Sequence, residues 1–481
     1  MSKLKNIIKQ LSPKDFSSIY DSLMESNAEK SAYLLKFLRE KQLSDAKIME
    51  ELDVNSNAYY TLRSRLNQKI EEYLLQQMES PRTTLLKKVA TINEIIFTKK
   101  KAIAIATLRK LEKELLDYDL SNELTIVYKT LKKLHIHTPD HFNYSQLYNR
   151  HVAYMLALDK AEDLLAEYFK KYGNYFLTND DTEKLGLVLL KKELENVANL
   201  YQSHRLFVYQ NCIDIFHRLY VEPDKNADGE EAIEEIFEKV QQIFDSYYLD
   251  SIYYHLKSVF EFLKLEYYSK YNIYRKADKY LEDVNEQTAT LLTNYNLYTF
   301  TPKYLLTKLE RSIRTNTENT LYEENKALFE DFEIDKNNTP LYIIYITYRA
   351  LSCYYYSESD KYDEAAKWIN NMLNDLSLKK TPYTQLEIKI FLALQYALMK
   401  DDELFNQLIN SIQRQVRLLG KQNCHHILIF TKILKTSLND TKKSKSIKIQ
   451  GYINKLKKIN IPYFSPLQYI KMDEDFISRL A

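Results

Sequence analysis

Apolar residues recur along this 481-residue chain at intervals of three and four. Tyr59, Leu62, Leu66, Ile70 and Tyr73 form one such stripe, the spacing that lines one face of an α-helix. Runs with the alternation of a strand are short and rare. Seven of the nine prolines follow Ser or Thr: Pro13, Pro81, Pro139, Pro302, Pro340, Pro382 and Pro466. A Ser or Thr N-cap followed by proline begins a helix, because the hydroxyl accepts an orphan amide and proline has no amide to orphan. Ser12-Pro13-Lys14-Asp15 also sets an acid where the helix end is positive. The pattern predicts roughly twenty helices joined by short polar connectors.

Some of these helices look like copies. Ala365, Ile369 and Met372 set a small residue at a crossing point, with larger apolar groups four and seven residues on. Ala277, Leu281 and Val284 repeat the spacing, as do Ala161, Leu165 and Tyr168. Tyr356 and Tyr268 each stand nine residues before their alanine. The register resembles that of tetratricopeptide repeats, degenerately, over residues 143–172, 246–290 and 341–417. Cys353 and Leu265 stand where that consensus has glycine, and Ala277 to Ala365 spans two units of 44 residues. The resemblance implies a right-handed superhelical stack of helix hairpins that offers a binding surface. Connectors are expected near Pro223–Glu230 and Glu333–Pro340.

Composition narrows the chemistry. The chain has five glycines where an average one has about 34. Phosphate-cradling loops, dinucleotide turns and tight hairpins all draw on glycine, so nucleotide chemistry of that kind is not expected. No phosphate loop, nucleophile elbow or His-Glu-x-x-His motif occurs, and no enzyme activity or cofactor is expected. Net charge is +2, so no global field favours nucleic acid or membrane. The three cysteines are scattered, which fits a reducing cytoplasm. No apolar run reaches the ~20 residues of a membrane helix, and residues 1–16 lack a signal-peptide pattern. Forty-one tyrosines suit partly wet helix interfaces, or alternatively a concave surface that holds a ligand.

Three local patterns carry candidate chemistry. Residues 44–66 resemble a helix-turn-helix. Ser44 caps a short helix with Ile48, Met49 and Leu52, Asp53-Val54-Asn55 turns the chain, and Ala58, Tyr59, Leu62 and Leu66 point inward from a second helix. The resemblance implies that Ser56, Asn57, Tyr60, Thr61, Arg63 and Ser64 face DNA, with Arg65 a second cation. Against this, residues 1–80 balance about twelve basic with about twelve acidic groups, whereas DNA readers carry a basic face. The other reading is a helical cap over the first repeat. The lysines of 432–458 make either an anion-binding run or a solvated helix face. His135, His137, His141 and His151, and the Cys424-His425-His426 run, lack metal-ligand spacing, and no metal is expected.

The expectation is therefore all-α, in three parts: a helix-turn-helix-like module at 1–80, repeats at 81–430 and a lysine-rich helical cap at 431–481. The function expected is a non-enzymatic, cytoplasmic scaffold that binds a protein or peptide, with Tyr268 and Tyr356 as candidate contacts and no membrane partner. The alternative is a DNA-binding regulator whose repeats sense a partner.

Overall fold

The computed structural model describes the chain except residues 1–3, 5–6, 9–10, 12, 41–44, 78–80, 202, 224–230, 248–250, 333, 357–360, 440–441 and 481. Every regular element among the described residues is helical, and the chain is all-α. It divides into two compact units, residues 1–148 and 149–481.

In the first unit, α1 (Pro13–Glu25), α2 (Glu29–Glu40), α3 (Asp45–Glu51) and α4 (Ser56–Gln77) enclose one core. Helices α1 and α2 pack on each other and on α4. Ile19, Leu34, Leu35, Ile48, Tyr59, Leu66 and Ile70 are buried there, so the stripe read from the sequence is the face α4 turns inward. A second core joins α5 (Pro81–Ala90), α6 (Ile92–Thr98), α7 (Lys101–Asp117) and α8 (Ser121–Leu134) through Leu85, Leu108, Leu111, Val127 and Leu131.

Helix α9 (Asp140–Thr178) begins in the first unit and continues into the second. At 39 residues it contains the whole of the first predicted repeat copy, 143–172, so that copy is one helix and not a hairpin. The second unit continues with α10 (Asp181–Leu200), α11 (His204–Tyr220), α12 (Ile233–Ser246), α13 (Ser251–Lys270), α14 (Tyr274–Asn285), α15 (Thr288–Asn294) and α16 (Lys303–Thr315). Then come α17 (Leu321–Glu324), α18 (Lys326–Asp331), α19 (Thr339–Tyr355), α20 (Tyr362–Asp375), α21 (Pro382–Met399), α22 (Asp402–Leu419), α23 (His425–Asn439), α24 (Lys442–Leu456) and α25 (Glu474–Leu480). Neighbours pack in pairs, notably α13 on α14, α19 on α20, α20 on α21 and α21 on α22. The predicted crossing residues Ala161, Ala277 and Ala365 are buried, and so are Leu165, Leu281 and Ile369.

The prolines open helices. Pro13, Pro81 and Pro382 are first residues of α1, α5 and α21, Pro340 is the second of α19, and Pro466 opens a 3-10 turn. The hydroxyl caps are fewer than predicted: Ser465 accepts from the Leu467 amide, but Thr381 makes no cap bond and Asn338 caps α19 instead.

Helix ends explain how the chain manages with five glycines. Asn27, Asp53, Asp119, Asn179, Asn272, Asn316 and Lys400 all follow a helix in the left-handed region, at φ between 47° and 60°. At six of these ends the amide of the left-handed residue and the next amide fold back on the last turn. Asn272 N–H donates to Ser269 and Ile273 N–H to Tyr268, at 3.1 and 2.8 Å; Asp119 and Leu120 do the same with Leu116 and Leu115. This is the Schellman closure, which glycine usually provides. Asn and Asp tolerate the left-handed region better than other side chains, so they replace it.

Tyrosine packs between helices. Nine of the twelve largest fully buried side chains are tyrosines, so interface packing is the use the fold makes of them. Their hydroxyls reach across to polar partners: Tyr209 donates to Glu162 at 2.8 Å, Tyr342 to Asp375 at 2.8 Å and Tyr322 to Glu364 at 3.0 Å. Each ring buries apolar area while its hydroxyl is satisfied by a carboxylate on another helix. Glu266 is wholly buried and accepts from the hydroxyls of Tyr220 and Thr307. Burial raises its carboxyl above the usual range against the opposing pull of Lys303.

Candidate interaction sites

The helix-turn-helix-like segment is α3, a turn and α4. Leu52 N–H closes on Ile48, and Asp53 at φ 47° with Val54 completes the Schellman turn. Asn55 caps α4 by accepting from the Ala58 amide at 2.9 Å. Asp45 ties α3 to α4, accepting from the Tyr59 hydroxyl at 3.0 Å and pairing with Arg63 at 3.5 Å. Burial, with Asp45 alongside, pushes the Tyr59 hydroxyl up to about 12. Ser44 lies outside the described residues. Of the residues expected to face DNA, Ser56, Asn57, Tyr60, Thr61, Ser64 and Arg65 are exposed, Tyr60 at 60%. Arg63 differs: it is half-buried, with its guanidinium against the Tyr59 ring and Asp45. Asn57, Tyr60, Thr61 and Ser64 share one face of α4 at helical spacing.

The two tyrosines expected to contact a partner lie elsewhere. Tyr268 ends α13 buried, stacked on Tyr280 at 5.8 Å with the Lys276 ammonium 4.8 Å from its ring. Tyr356 caps α19, half-buried, and donates to Glu323 at 3.1 Å. The exposed tyrosines among the described residues are Tyr33, Tyr60, Tyr254 and Tyr271.

Sequence reasoning passed over a cleft of about 520 Å³ in the second unit. Its walls are α9 (Ala166, Phe169, Lys170, Gly173, Asn174), the 296–302 connector and residues 335–340 at the entry to α19. Gly173 permits the approach of the last wall: a Cβ there would lie 2.8 Å from the Pro340 ring and 3.3 Å from Phe300. Phe169, Leu297, Phe300 and Pro340 make the lining largely apolar. Thr299, fully buried in the wall, has a hydroxyl with no hydrogen-bond partner. Asn296 and Asn338 are already engaged, with Thr301 and the Leu341 amide. A proline and an asparagine in connectors give no periodic signal, which is why the pattern of the sequence did not mark this place.

The histidine runs resolve differently. His426 Nε2 meets Glu387 Oε1 of α21 at 2.5 Å, and Ser465 donates to the other oxygen of Glu387. This buried cluster fastens residues 463–470 to α21 and α23. His135 Nδ1 bonds Thr138 at 3.0 Å at the end of α8. No group of three metal-ligating side chains occurs among the described residues. Lys445 of the lysine-rich segment is buried and donates to the Ser437 carbonyl at 2.6 Å, while Lys448 and Lys455 are exposed.

Comparison with known proteins gives no match: no family model, no curated protein and no solved structure is significantly similar to this chain. No described helix is long and apolar enough to cross a membrane.

Proposed function

We propose that this protein is a non-enzymatic helical scaffold, of the tetratricopeptide-like kind, that binds a peptide or protein segment in the cleft beside α9. The observation that carries the reading is the apolar cleft of about 520 Å³ that Phe169, Gly173, Phe300 and Pro340 shape, with Lys170 and Asn174 exposed at its rim. Lys170 and Asn174 at the rim offer a charge and a carboxamide for a peptide backbone or an acidic residue, and the apolar lining offers room for one large side chain. The experiment is selection of displayed random peptides on the intact chain. A shared sequence is expected, with binding lowered about tenfold or more by Ala166→Arg, which obstructs the cleft. No enriched peptide, or one indifferent to Ala166→Arg, overturns the reading.

A second reading, DNA recognition by α4, is favoured by one observation: Asn57, Tyr60, Thr61 and Ser64 form an exposed polar face at the start of a capped helix. Arg65 makes no ion pair among the described residues, whereas Arg63 is held by Asp45. Arg65→Ala is therefore expected to weaken binding to random duplex and reduce the salt slope by about one, and Arg63→Ala to do less. Absence of duplex binding at low salt removes this reading.

A further inference from the structure

The turn between α6 and α7 exposes seven consecutive residues, Phe97 to Ile103. Phe97 is 86% exposed and Ile103 52%, and between them stand Lys99, Lys100 and Lys101. The three lysine side chains make no ion pair among the described residues, and the nearest acid in sequence is Glu94, one turn before Phe97. The fold gains little from this arrangement. Lys100 and Lys101 stand at the start of α7, where the helix dipole disfavours cations and no acid stands in the first turn, while Lys99 caps the end of α6. The phenylalanine packs against no core. Both features become favourable against one kind of surface, anionic outside and apolar beneath.

We propose that this tip is a peripheral docking point for an anionic lipid surface, with Phe97 and Ile103 entering the acyl boundary and Lys99, Lys100 and Lys101 meeting headgroup phosphates and carboxylates. Charge complementarity selects the anionic leaflet, and the exposed apolar pair selects a lipid over a duplex. A phosphate-lined groove has no use for Phe97 and Ile103, and the tip carries neither Arg nor the amide side chains that read base edges. Lysine as a mobile point charge on a long apolar stem suits a headgroup layer. A contact of two apolar side chains and three lysines at the interface is reversible.

The test is flotation of the intact chain with phosphatidylcholine vesicles and with vesicles containing phosphatidylserine. Binding is expected to the second kind alone, to fall about fivefold for each lysine changed to Gln, and to fall about tenfold or more in Phe97→Ala. These positions are exposed, so an unchanged unfolding midpoint shows that the fold persists. In Phe97→Trp, indole emission is expected to shift to the blue on the phosphatidylserine vesicles, against the fixed signal of Trp368. Equal binding to both vesicles, no binding, unmoved emission, or a random duplex bound with the same dependence on Phe97 and the lysines overturns the proposal.

Discussion

At the scale of single residues, the low glycine content is matched by the side chains that take over its conformation. Asn and Asp hold most left-handed helix ends, but Lys400, at φ 57° after α21, has no short polar side chain to ease that conformation. A left-handed residue with a Cβ costs about 1–2 kcal/mol, and glycine returns part of that as extra chain entropy in the unfolded state. Lys400 is exposed, so packing does not intervene. Lys400→Gly is expected to raise the stability of the second unit by about 0.5 kcal/mol, and Lys400→Val to lower it by about 1–2 kcal/mol, read from urea midpoints. Equal midpoints for the three proteins would show that this end is not held as described. The scarcity of glycine was visible in the sequence. Which residues replaced it was not, because Asn and Asp are equally at home in caps and connectors, as Asn55 and Asn338 show.

At the scale of helices, two of the glycines test how tightly the elements meet. Both sit inside helices, where alanine has the higher propensity by about 1 kcal/mol. At Gly173 of α9 an added Cβ would lie 2.8 Å from the rigid Pro340 ring, so Gly173→Ala is expected to destabilise by about 1–3 kcal/mol. At Gly186 of α10 the added Cβ meets the flexible Lys171 side chain at 2.7 Å, which can withdraw. Gly186→Ala is expected to be neutral or to stabilise by up to about 0.5 kcal/mol, since Lys171 also gives up part of its pairing with Glu183. The reverse order in a thermal melt would contradict the close approach that shapes the cleft. The burial of Ala161, Ala277 and Ala365 was legible because their apolar companions repeat at helical spacing. The length of α9 was not: the amphipathic period carries on past a repeat boundary that only a break in hydrogen bonding would mark.

At the scale of the whole molecule, the buried side chains of the described residues gather in three cores. Urea unfolding of the intact chain is therefore expected to show more than one transition. Leu35→Ala in the first core and Ile344→Ala in the large core are each expected to move a different transition by about 2–5 kcal/mol. One transition shifted by both substitutions would show a single cooperative body instead. The sequence by itself determined that the chain is helical, where the proline-led helices begin, and which alanines of the repeated spacing are buried. These follow from periodicity and local backbone chemistry, which act over a few residues. Tertiary structure decided that α4 buries Tyr59 and presents Asn57 and Tyr60, and that Tyr268 is core. It also gave His426 the partner Glu387, left Thr299 unpartnered beside a cleft, and left Phe97 bare. Each of these depends on which surfaces meet across tens to hundreds of residues, and a pattern with a period of three or four does not encode that.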